Sequence, residues 1–167
     1  MKKAVFLFIV IFCFSMTSLI SQTQIRIAVF PFYNMDGNMK WNIWCYQLQD
    51  SLSTAMHNQD PGSESYYIVP KDSVELLLAE LNVDPGNPQY ETDMWSVAKK
   101  LNVKKVICGN FKYQAERFLI NAYIWDVKTK LANPKFKARD IFKKEENLYE
   151  AVPEITESLV PAFKSSN

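Results

Sequence analysis

Two hydrophobic periods divide the chain. IRIAVFPF, from Ile25 to Phe32, is a nearly continuous run of β-branched and aromatic residues, which predicts a strand buried on both faces, as in an α/β sheet. Pro31 ends it, since proline donates nothing to a ladder. Tyr33 to Asn38 (YNMDGN) reads as a loop with an Asp-Gly turn. From Trp41 the spacing becomes helical: Trp41, Trp44, Cys45, Leu48, Leu52 and Ala55 form one stripe, with Gln47, Gln49, Asp50 and Ser53 off it. That helix ends between Asn58 and Pro61. SYYIVP, Ser65 to Pro70, predicts a short strand. Asp72 and Glu75 have the spacing of a capping box opening a helix with Val74, Leu77, Leu78 and Leu81. Val83 to Tyr90 contains two prolines and a glycine and predicts a rigid loop. Thr92 is a candidate cap for a third helix carrying Trp95, Ala98 and Leu101.

The second half of the chain alternates. Val103 to Tyr113 and Phe118 to Val127 predict two long strands joined by a four-residue hairpin loop, QAER. In the second strand Phe118, Ile120, Ala122 and Ile124 alternate with Leu119, Asn121, Tyr123 and Trp125, the pattern of a sheet covered on one face. Asp126 to Lys130 is a turn and Phe136 to Phe142 a third, weaker strand. Glu145 to Phe163 is helical in period but contains Pro153, which an interior turn does not tolerate. Either the helix begins near Val152, or a short turn at Asn147–Ala151 precedes it. The order β-α-β-α-α-β-β-β-α defines an α/β domain of mixed type: about five strands in one mixed sheet, with helices packed on it in a three-layer arrangement.

The first residues follow another logic. Lys2 and Lys3 precede an apolar run from Ala4 to Phe14, followed by small and polar residues to Ser21. This is the layout of a secretory signal peptide, residues 1–21, with cleavage expected between Ser21 and Gln22. The run is shorter than the roughly 20 residues that span a bilayer; a retained anchor is the alternative. Cys13 sits among bulky residues inside the apolar run and is not expected to be lipidated. Residues 22–167 then form one domain, with its core at about 25–163. Without the two leader lysines the net charge falls from +1 to −1, a balance that gives no footprint for nucleic acid or an anionic membrane.

Candidate chemistry is sparse. A cysteine nucleophile needs a base within hydrogen-bond reach, and the chain has one histidine, His57. Cys45 lies about 18 Å from it along the same helix. Cys108, in VKKVICGNF, is an inward strand residue; with His57 it would make an exported cysteine hydrolase, the alternative reading. Cys45 and Cys108 are expected as free thiols. Two cysteines and one histidine offer neither CxxC nor paired-His spacing for a metal, and four glycines leave no phosphate loop, so no cofactor is expected. Asp36-Gly37 reads as a turn, not a calcium loop. Aromatic residues make up 14% of the chain. Trp41, Tyr66, Tyr67, Tyr113 and Trp125 could build a sugar-stacking face, a second alternative, or simply fill the core. Gly109 predicts a close backbone approach or a bulge.

IAVFPFYNM at Ile27–Met35, LQDSLSTAM at Leu48–Met56, Val69-Pro70, AKKLNVKKVICGNF at Ala98–Phe111 and ERFLINAYIWDVKTK at Glu116–Lys130 together resemble one family, over about Ile25 to Phe163. It is the amino-terminal-domain superfamily of TolB, which includes lipoprotein activators of penicillin-binding proteins, CsgG-type secretion proteins and FlgO-type flagellar proteins. Asn102 stands where that pattern favours glycine. Lys130 replaces a turn glycine, so a different turn geometry is expected. No propeller follows, no segment suits a secretion hairpin, and no lipidation cysteine is present. The resemblance implies a non-enzymatic periplasmic accessory protein that binds another envelope protein. Ligands of open α/β sheets gather beyond the carboxyl ends of parallel strands, which points to Tyr33, Asn34, Asp36 and Trp41 as the contact surface.

Overall fold

The computed structural model describes residues 24–164; the expected leader, Cys13 and the Ser21–Gln22 cleavage point lie outside them. Strand β1 (Ile25–Val29) is followed by a two-residue strand β2 (Tyr33–Asn34), a 3-10 turn (Met39–Trp41) and helix α1 (Asn42–Gln59). Then come β3 (Tyr66–Ile68), α2 (Lys71–Glu80) and α3 (Tyr90–Lys100). The chain continues with β4 (Lys105–Gln114), β5 (Arg117–Asp126) and β6 (Ala132–Lys143), a 3-10 segment (Glu145–Glu150), α4 (Ala151–Leu159) and α5 (Pro161–Lys164). The sheet order is β3-β1-β4-β5-β6, with β2 extending the β1 side of β4. β1 pairs in parallel with β3 and β4, whereas β4, β5 and β6 are antiparallel.

Two apolar layers enclose the sheet. One side packs Ile27, Val29, Ile107, Phe111 and alternate residues of β5 against α1, α4 and α5. The other packs Ala28, Phe30, Val106 and Cys108 against α2 and α3. This is the α/β mixed architecture expected from the pattern, with one addition: Tyr33–Asn34, read as loop, pairs with Asn110 and Phe111.

Several local expectations are corrected. The β4–β5 hairpin closes on two residues, not four: Gln114 pairs with Arg117, and Ala115 and Glu116 take φ values of 49° and 60°. Two successive positive φ values are what a tight hairpin requires. β6 is longer than the weak strand expected. It bends at register shifts, where Asp140 takes φ 59° and its N–H donates to Asn121 Oδ1 at 3.0 Å. Helix α3 begins at Tyr90, before Thr92, because Asn87 Oδ1 accepts from Gln89 N and turns the chain first. Helix α2 starts at Lys71 behind Pro70 with no side-chain cap, leaving Asp72 inside the first turn. Gln49, placed off the stripe, is buried and donates to Val29 O at 3.0 Å. Pro153 is the third residue of α4, where a missing N–H is harmless, and a 3-10 segment kinked at Asn147 precedes it.

Helices α2 and α3 stop in the same way. Asn82 and Asn102, each within Leu-Asn-Val, take φ 52° and 51°. Val83 N and Val103 N then donate back to Leu78 O and Ala98 O, the Schellman arrangement. Lys130 also takes a positive φ, 58°. The turn therefore keeps a glycine-like geometry despite the lysine, contrary to expectation. Asp126 holds that turn, accepting from Thr129 N at 2.8 Å and from Lys105 Nζ at 2.9 Å.

Candidate functional site

The loop beyond β2 is built around Asn34. Its side-chain amide donates to Asn38 O at 2.9 Å and Asn42 Oδ1 at 2.8 Å, and its Oδ1 accepts from Asp36 N at 3.1 Å. Asn38 in turn caps the 3-10 turn by accepting from Lys40 N. Met35 N donates to Phe111 O at 3.0 Å, and the Asp36 carboxylate accepts from Tyr113 N. One buried asparagine thus ties β2, the turn and the start of α1 together, and Asp36 fastens them to the end of β4.

Aromatic packing completes the frame. Trp41 lies 4.8 Å from Tyr113 and meets Phe118 edge-on at 5.0 Å between ring centroids. Trp44 bridges Phe118 and Tyr149. On the opposite side of the sheet, Tyr33 stacks on Tyr90 at 6.4 Å, and Tyr90 donates to Pro31 O at 2.7 Å.

Of the four residues expected at the contact surface, Asn34 and Trp41 are interior, at 1% and 5% exposure. They shape the loop from within; Tyr33 is half-buried and Asp36 exposed. What the sequence reading passed over is the apolar surface beside them. Met35, Met39, Ile43 and Tyr46 are four of the eight large apolar side chains exposed among the described residues, and Met39 is 83% exposed. Met39, Ile43 and Tyr46 recur at spacings of four and three, so the turn and α1 present them on one side. That second, outward stripe on α1 was the available signal.

The cysteines are poor nucleophiles. Cys108 is buried against the Pro31 and Gly109 carbonyls, at 3.5 and 3.6 Å from Sγ. Desolvation raises its thiol pKa to about 12, with Glu91 adding to the rise. Cys45 is also pushed up to about 12, by burial first and then by Asp84. Both are free and belong to core layers on opposite sides of the sheet. His57 is exposed in the last turn of α1, whereas the Cys108 thiol points to the Pro31 and Gly109 carbonyls. Gly109 pairs regularly with Ala122, and a Cβ there would lie 2.2 Å from the Phe32 ring and 2.4 Å from Asn121 O. Close approach, not a bulge, is the reason for the glycine.

The aromatic residues considered for sugar stacking share no surface. Tyr66 is 1% exposed, with its hydroxyl on Met56 O. Trp41 and Tyr113 pack on the α1 side, Tyr67 and Trp125 on the other. Among the described residues no three His, Cys, Asp or Glu side chains gather as a metal site, and no helix is long and apolar enough to cross a membrane.

No protein-family model and no curated protein sequence matches the chain. Solved structures do match. LpoB from E. coli superposes with a TM-score of 0.55 at 11% identity, over 73% of this chain and 59% of that one. Looser likenesses are found to TolB from Acinetobacter baumannii, at TM-score 0.45, 15% identity, and 85% and 28% of the two chains. The lipoprotein GNA1162 from Neisseria meningitidis gives 0.44, 16% identity, and 84% and 97%. The chain spans about three fifths of the length of LpoB. At these identities the likeness is one of fold alone; function has to be argued from the site.

Proposed function

We propose that this chain is a non-enzymatic accessory domain, exported to the periplasm of a bacterial cell, that works by binding an envelope protein. The carrying observation is the set of exposed apolar side chains Met35, Met39, Ile43 and Tyr46, carried on the loop and the first turns of α1, which Asn34 ties together. A preorganised apolar surface rimmed by polar groups costs little ordering entropy on association and suits a protein partner. Asp36, exposed next to Met35 in the chain, supplies a polar contact. The leader-like residues 1–21 support export, and the resemblance supports an accessory role in the envelope. The raised thiol pKa of Cys108 and its lack of a histidine partner speak against the cysteine hydrolase. The division of the aromatic residues between two core layers speaks against a sugar-stacking face.

A photo-crosslinking residue at position 39 tests the proposal in the native envelope. It is expected to capture a discrete protein, and M39D/I43D to lower capture at least tenfold while L76D/L131D leaves it unchanged. Capture unaffected by M39D/I43D sinks the reading, as does a hydrolytic activity of the purified chain lost in Cys108→Ala.

A further inference from the structure

A concave surface lies at the amino-terminal end of the parallel strands, beside Ile25 and Lys105. The cavity, about 660 Å³, is walled by Lys99, Lys104, Lys105, Lys128 and Lys130. Its carboxylate, Asp126, is committed to Lys105 at 2.9 Å. The other four lysines make no ion pair among the described residues. Four lysines without a carboxylate partner thus surround one cavity, Lys130 with its ammonium 5.9 Å from the Trp95 ring centre, in a domain whose expected net charge after export is −1. Convergent charge against a low-dielectric wall focuses the field and concentrates counter-ions.

Two further features favour an anion. The carboxyl end of α3 reaches this rim, but the carbonyls that would repel an anion are occupied: Val97 O, Ala98 O and Lys99 O accept backbone N–H groups, and Arg26 Nη2 sits 3.5 Å from Leu101 O. Lys130 occupies a left-handed backbone position, at a cost of about 1–2 kcal/mol that glycine would avoid. The wall also contains Ile25, Val103 and Val127, an apolar floor on which the organic part of an ester can rest.

From this convergence of unpaired lysines over an apolar floor, we propose that the cavity binds a phosphate ester. Lysines act as strongly hydrated point charges suited to phosphate oxygens, and no bidentate arginine fork for a carboxylate lines the wall. The ester is either a soluble phosphomonoester or the headgroup of an anionic phospholipid. The first places the domain on a diffusible ligand, the second on a membrane surface.

Two measurements on the exported chain, one with glycerol 1-phosphate and one with vesicles, test the site and separate the sources. In an NMR titration, amide shifts are expected at residues 99–105 and 126–131. K104E/K128E should weaken the response at least tenfold, and K135E/K137E on β6 should not. In cosedimentation, retention by phosphatidylglycerol vesicles but not phosphatidylcholine vesicles, lost in K104E/K128E, assigns the ester to a lipid. A soluble-ligand response without vesicle retention assigns it to a free ester. Neither response, or equal losses in the two double variants, overturns the proposal. Circular dichroism of each variant separates lost charge from lost fold.

Discussion

The two halves of the sheet bury their residues by different rules. In the parallel half, β3-β1-β4, neighbours along a strand are buried together: Ile27, Ala28, Val29 and Phe30 on β1 and its continuation, Val106 and Ile107 on β4. Helices cover both faces there. In the antiparallel half, Phe118, Ile120, Ala122 and Ile124 are buried while Leu119, Asn121 and Tyr123 stay half-exposed, because α2 and α3 stop short of them. The change happens within β4. Cys108 is the last residue buried on the α2–α3 side; of the next two on that side, Asn110 is half-buried and Lys112 exposed. A strand's alternation therefore records how many layers cover it.

The sharpest way to break this contrast is by pairs of neighbouring substitutions. Phe118→Ala should cost about 3–5 kcal/mol and Leu119→Ala about 1 or less, whereas Val106→Ala and Ile107→Ala should each cost about 1.5–4. Urea denaturation measures all four; equal costs for Phe118 and Leu119 would erase the distinction. Gly109→Ala probes the boundary itself. Its added Cβ overlaps Phe32 and Asn121, so a loss of about 1–3 kcal/mol is expected, and a neutral result would show that β4 and β5 separate easily.

A gain of roughly 1 kcal/mol is expected from A115N/E116G, since both positions have positive φ and Asn-Gly fits a two-residue hairpin turn. An unchanged melting midpoint would mean that the turn adapts to Ala-Glu. The smallest effect concerns Asp126, at the far corner of the antiparallel half. Its carboxyl is held down to about 2, first by the Thr129 N–H and then by Lys105. Because the folded pKa lies below that of an unfolded aspartate, its contribution is complete above about pH 4 and is lost as the pH falls towards 2. D126N should flatten that part of the stability profile, and an unaltered acid limb would place the loss elsewhere, for instance at Asp60, whose pKa is also lowered.

The free edge of the antiparallel half has its own protection. β6 is the outer strand; it carries Pro134, Lys135, Lys137 and Arg139 and bends at its register shifts, devices that discourage strand addition. The proposed partner therefore has its apolar contact at the α1 turn and not along this edge.

Features set by local chemistry could be read directly. The continuous run at Ile25–Phe32, the stripe of α1 and the alternation of β5 needed only period and backbone preference. The hairpin turn was misjudged because Ala115-Glu116 carries no turn signal; the long pairing of β4 with β5 imposes the left-handed backbone on them. Gln49 looked like a surface residue because its type is polar, yet Val29 O offers it a buried partner. Asn34 and Trp41 were taken for surface but are interior, since a sequence does not say which residues around a turn fold inward.

The α/β class, the order of the main elements and the inward position of Cys108 on its strand follow from the sequence by itself, because periodicity and flanking turns act over a few residues. Three things were decided only in the folded chain: that four lysines from α3, the start of β4 and the β5–β6 turn converge, that Met35, Met39 and Ile43 stay outside while Trp41 goes in, and that Gly109 is needed for space. Each depends on residues distant in sequence sharing one volume. Excluded volume and charge convergence arise only when that volume has been formed.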